Sequence, residues 1–141
     1  MNYKKLKKAN KKTVKSILNL LPVILSILLL VSIVNQMIPK SFYIKIFTGN
    51  IILDALKGSL LGSILTGNPV TGYILGDGFL KNGVSLVAVT SFIVAWTTVG
   101  IIQLPAESIA LGKRFAIYRN ISAFIMAIIV AIISVLLINF L

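Results

Sequence analysis

The stretch Thr66-Gly67-Asn68-Pro69-Val70-Thr71-Gly72-Tyr73 breaks an otherwise apolar run with residues that stop one helix and start another. Gly67 readily ends a helix, because it tolerates the backbone angles that follow a last turn. Asn68 can cap the open N–H groups of a new helix, and Pro69 fits its first position. One helix is therefore expected to stop near Leu65 and another to start at Pro69, with almost no connection between them. Beside lipid, such a break survives only where the freed backbone faces protein, water or a ligand. It reads either as a loop at the membrane surface or as a helix-end binding site within the membrane.

The surrounding composition establishes the membrane. The 141 residues are 57% hydrophobic, with a mean hydropathy of +1.01, far above a soluble domain. The fold class is an all-α integral membrane protein of three to four transmembrane helices with a broken or re-entrant helix pair. Fourteen Lys and Arg against three acids give a net charge of +11. Lys4, Lys5, Lys7, Lys8, Lys11, Lys12 and Lys15 crowd residues 1–15, which read as a basic cytoplasmic arm drawn to anionic membrane lipids, not to nucleic acid. The transmembrane domain is residues 16–141. Cys and His are both absent, so disulfides, thiolate metal sites and imidazole chemistry have no residues to use, and no cofactor or metal is expected.

Four apolar segments follow. Ser16 to Ile38 is uncharged and, at 1.5 Å per residue, about 35 Å long, enough to cross a core of about 30 Å. It is too long for a signal peptide and has no small-residue cleavage site, so it reads as a retained anchor. Lys40 to Lys45 is an interfacial link in which Phe42 and Tyr43 suit the headgroup region. Ile46 to Leu65 carries Asp54 and Lys57, spaced to pair as an intramembrane ion pair. Alone, each charge costs about 2.5–3.5 kcal/mol near the bilayer centre. Asp54, Gly58, Gly62 and Thr66 form one small or polar stripe suited to close helix packing. Pro69 to Leu80 is too short to span, and Asp77 and Lys81 mark its approach to water. Val84 to Leu104 is long enough to cross, with Ala88, Ser91, Ala95 and Thr98 along one face and Trp96 among them. A second break follows at Gln103-Leu104-Pro105-Ala106-Glu107, where Glu107 suits the positive start of a helix. After an interruption at Gly112 come Lys113, Arg114 and Arg119. The last segment is Ile121 to Leu141, with a face of Ala123, Ala127, Ala131 and Ser134.

The basic residues bear on topology. Four spans would put Lys113, Arg114 and Arg119 outside, against the positive-inside rule. Three spans with Ile46–Leu65 and Pro69–Leu80 as a re-entrant hairpin put those three inside and only Lys40, Lys45 and Lys81 outside, which the rule favours.

Several strings resemble the predicted permease family of the organoarsenical efflux (ArsP) type. They are Ile38-Pro39-Lys40-Ser41-Phe42-Tyr43, Phe47-Thr48-Gly49-Asn50, the Thr66–Tyr73 run, and Ala95-Trp96-Thr97-Thr98-Val99-Gly100-Ile101-Ile102-Gln103-Leu104-Pro105-Ala106-Glu107. Leu111-Gly112-Lys113-Arg114-Phe115-Ala116 and Arg119-Asn120 continue the resemblance, which covers nearly everything after the basic arm. It implies a half-size permease, since family members are about twice this length, and a role in solute transport, including efflux. Arsenical-handling members use cysteines, and this chain has none.

The expected function is a permease, or a half-permease subunit, moving a small solute or ion, working as a homodimer or with a second half-permease. No phosphate-binding loop of a pump motor is present. Leu75-Gly76-Asp77-Gly78 only partly matches the Gly-x-Gly-Asp motif of membrane aspartyl proteases and lacks its second aspartate, so no enzyme is expected. The alternative is a noncatalytic membrane assembly or anchoring protein. The expected substrate-binding residues are Thr66, Asn68, Pro69 and Thr71 from the first break, and Thr97, Thr98, Gln103 and Glu107 from the second.

Overall fold

A computed structural model describes residues 3–37, 43, 45–65 and 67–140. Among these the chain is all-helical: α1 (Tyr3–Met37), α2 (Ile51–Ile64), α3 (Pro69–Lys81), α4 (Leu86–Thr98), α5 (Leu104–Leu111) and α6 (Lys113–Phe140). The basic arm is helical and continuous with the first apolar segment in α1, which contains Pro22. Among the described residues, α6 is the one helix both long and apolar enough to cross a membrane.

The centre of the bundle is α4, which packs against α2, α3 and α6, while α1 reaches the rest through α3. Glycine sets the α2–α4 contact. A Cβ on Gly58 would lie 2.1 Å from the Ala88 carbonyl oxygen, and one on Gly62 would lie 2.3 Å from that of Phe92. Two backbones this close require small residues at the crossing. Because Gly58 meets Ala88 and Ser91 while Gly62 meets Phe92 and Trp96, the two helices run parallel. Helix α3 returns antiparallel along another face of α4, with Gly76 against Val89 and Ile93 and Gly72 against Trp96. On the other side α6 also runs antiparallel to α4: Ala127 packs with Ala95 and Val99, and Ala131 with Val87 and Ala55. The stripes expected on α2 and α6 are thus helix-packing faces, and so is that on α4 except at exposed Thr98.

Three sequence expectations are corrected. Val84–Leu104 is not one crossing helix: α4 has 13 residues and ends at Thr98, because the backbone turns out at Val99 and the Gly100 N–H is taken by the Asn120 side chain at 2.7 Å. Tyr43 lies not among headgroups but buried with Val84, Ala88, Val89 and Phe79; Phe42 and Lys40 lie outside the described residues. Asp54 and Lys57 are not an ion pair. Asp54 is fully buried and accepts from Thr48 N (3.0 Å), Gly49 N (3.1 Å) and Ser85 Oγ (2.6 Å). Lys57 instead donates to the Ile46 carbonyl. The two charges share a helix face, but each satisfies the loop before α2, the carboxylate taking its amides and the ammonium its carbonyl. Asn50 completes this end by capping Ile52 N and Leu53 N.

The Gly58 contact predicts its own test. Gly58→Ala must push α2 off α4, and such overpacking costs about 1–3 kcal/mol. Its thermal midpoint in detergent, followed by circular dichroism, should fall below the parent's.

Candidate solute site at two helix breaks

The first break forms as its residue types dictate. Asn68 is extended, its side chain accepts from Val70 N at 2.9 Å, and Pro69 begins α3. The Asn68 carbonyl accepts twice, from Gly72 N at 3.2 Å and from the indole Nε1 of Trp96 at 3.0 Å. Gly67 N donates to the Trp96 carbonyl at 3.4 Å. The indole fits because Gly67 and Gly72 have no side chain: a Cβ on either would come within 3 Å of the ring, at 2.7 and 2.9 Å. The first break is therefore docked on the last turn of α4, just before the second break begins.

The second break is held from α6. Asn120 is buried and accepts from Gly100 N, while its Nδ2 donates to Glu107 Oε2 at 3.1 Å and to the Ala116 carbonyl at 2.9 Å. The other carboxylate oxygen of Glu107 forms an ion pair with Arg119. Arg119 Nη2 also reaches the Thr98 carbonyl at 3.3 Å, at the open end of α4. The turn that lets α5 fold onto α6 is Gly112, at φ 90°, a conformation glycine adopts without steric cost. Side-chain exposure is 17% for Glu107 and 37% for Arg119, so the carboxylate is covered and the guanidinium reaches the surface.

The expected site residues divide accordingly. Asn68 and Pro69 are exposed, Thr71 is half-buried, and Thr66 lies outside the described residues. Thr97 and Thr98 are exposed, but their hydroxyls donate back to carbonyls of α4, which leaves the oxygens as acceptors. Gln103 is exposed and makes no side-chain capping bond at the start of α5. The described residues among these gather at the end of the bundle where both breaks lie. Asp54 and Lys57 lie at the opposite end, near Ser85 and Ile46. Three residues at the breaks were not among the expected site residues: Trp96, Arg119 and Asn120. One signal was available. Glu107 is the only acid after Asp77, so burying it requires a cation, and Arg119 follows across a glycine turn.

Residues 5–139 match the predicted permease family ArsP. The chain belongs to that family. No curated protein and no solved structure matched it. Membership makes this ArsP-family chain a membrane protein with a role in transport, and its match runs through both breaks and the helices that hold them.

Removing the Asn120 side chain would leave a buried backbone N–H at Gly100 unpaired, at about 1–3 kcal/mol. Asn120→Ala should therefore unfold at a lower temperature in detergent than the parent, whereas Gln103→Ala, whose side chain is exposed, should not.

Proposed function

We propose that this chain is a permease, or a half-permease subunit, that moves a small solute or ion past the paired helix breaks and catalyses no covalent chemistry. The observation that carries the reading is the docking of the first break on Trp96, which gathers Asn68, Thr97, Thr98, Gln103 and Glu107 at one end of α4. Helix ends and exposed polar side chains in an apolar protein need water, a solute or more protein around them.

The depth of the breaks supports this. At the other end of the bundle Asp77 and Lys81 pair in the open, with side chains 61% and 71% exposed, so that end meets water. Helices of 13 and 14 residues starting there extend about 20 Å, roughly 10 Å short of the far side of a core of about 30 Å. The α2–α3 hairpin is then re-entrant, and α1, α4 with α5, and α6 supply three crossings. Lys113, Arg114 and Arg119 lie at the break end, which the positive-inside rule makes cytoplasmic, together with the N-terminus. A vestibule opening about 10 Å into the membrane gives the solute access, and a second copy or a second half-permease covers the faces that the short helices leave open. Efflux fits a site reached from the cytoplasm.

Purified protein in liposomes, assayed with a panel of small organic and inorganic ions, should move at least one of them. Asn68→Ala and Glu107→Gln should each assemble normally and slow that transport at least tenfold. A protein that moves nothing, or variants that transport like the parent, would return the chain to an assembly or anchoring role.

Orientation is tested separately, using the absence of native cysteine. A cysteine at Gly112 should resist impermeant thiol reagents added outside intact cells, while one at Lys45 should label.

A further inference from the structure

We infer that Arg119 is an anion-binding residue of the break site, that Glu107 occupies it when no solute is bound, and that the solute class is a small oxyanion. The inference deepens the permease reading and rests on it.

Charge is divided unequally between the two ends of the bundle. Asp54 and Asp77 both lie at the Ser85 end, each beside a lysine. The break end has three cations, Lys113, Arg114 and Arg119, against a single carboxylate, Glu107. Lys113 and Arg114 are exposed on the first turn of α6. A cationic solute would meet net repulsion on entry, whereas an anion is drawn in and concentrated.

Within that field Arg119 is the cation placed to receive an anion. Its guanidinium is the part of the ion pair that reaches the surface, and its Nη2 already lies at the end of α4 beside exposed Thr98. A planar guanidinium binds carboxylate, phosphate or sulfate oxygens in pairs, which an ammonium does not. Glu107 makes the contact that such a solute would make, and exchange need not leave it bare. Asn120 holds its other oxygen at 3.1 Å, so an entering oxyanion can take Arg119 while Glu107 keeps a donor. Helix α5, which carries Glu107, buries none of its residues and packs only on α6. The displaced carboxylate therefore moves with an element that little else restrains.

The single tryptophan supplies a readout that needs no transport. Trp96 stands two residues before Thr98, whose carbonyl Arg119 contacts, and its indole is bonded to the first break. In the purified full chain, tryptophan emission should be titrated with sodium salts of phosphate, sulfate, acetate and benzoate at constant ionic strength, with sodium chloride, which is not an oxyanion, as the balancing salt. At least one small oxyanion should change the emission saturably. Arg119→Gln should weaken that response at least tenfold, and Arg119→Lys should weaken it less. Glu107→Gln should tighten it, because the competing carboxylate is gone. If no anion changes the emission, or Arg119→Gln responds like the parent, the inference falls. It falls equally if Glu107→Gln weakens binding, since Glu107 is then a ligand and not a competitor. Saturable binding without flux in liposomes would retain the anion site and remove the permease reading, while flux of cations alone, unaffected by Arg119→Gln, would do the reverse.

Discussion

At the crossing of α2 on α4, two backbones approach so closely that a single Cβ at Gly58 or Gly62 would lie inside the contact distance of a carbonyl oxygen. In lipid, where apolar surface gains little by leaving its surroundings, close packing of this kind is what holds helices together. Its geometry has a further effect. Since α2 and α4 run parallel, their C-terminal ends lie side by side, and the break after α2 can rest on the last turn of α4. An antiparallel pair would have put the two breaks at opposite ends of the bundle. The meeting of the two breaks thus depends on two glycines three turns or less away from it.

Three interruptions of the helices have a dedicated partner for backbone they free. The loop before α2 is bonded by Asp54 and Lys57, the start of α3 by its own Asn68, and the exit from α4 by Asn120. An unpaired amide or carbonyl facing hydrocarbon costs several kcal/mol, so a chain with this many short helices cannot leave such groups to solvent. This explains polar residues that look out of place in an apolar sequence. Asp54 and Asn120 are buried because the backbone requires them, as acceptors for the N–H groups freed by the loops.

What could be read from the sequence was local. Asn68-Pro69 gave the start of α3, and the spacing of Gly58 and Gly62 gave a packing face, because a cap and a stripe are properties of a few adjacent residues. The pairing of Asp54 with Lys57 was misread for the same reason. Spacing of i,i+3 says that two side chains can meet, but the Thr48 and Gly49 amides compete for the carboxylate and come from a loop whose path no spacing reveals. Apolar length misled as well. Val84 to Leu104 contains no charge, and only the distant Asn120, across Gly112, shows that the helix stops at Thr98. Arg119 was legible as a charge to be placed on one side of a membrane, not as the partner of Glu107.

The carboxylates of Asp54 and Glu107 differ in a way that bears on which end can move. Asp54 is wholly enclosed, and two of its three donors are backbone amides in the loop next to its own helix. Releasing it would require unfolding that loop. Glu107 is held by two side chains on a neighbouring helix, it retains some exposure, and it belongs to an eight-residue helix with no buried residue. Side-chain donors can be exchanged for those of another molecule without disturbing the main chain, and a segment with so few buried contacts has little to lose when it shifts. A ligand moves a conformational equilibrium only by its difference in affinity for the two states. In the proposed exchange that difference has a defined origin, since a solute that took Arg119 would remove one of the two side-chain partners of Glu107, whereas the Asp54 end is held mainly by its own loop amides. On the proposed reading the bundle has a fixed end at Asp54 and an exchangeable one at Glu107, and a solute bound at the breaks would meet the end that can respond.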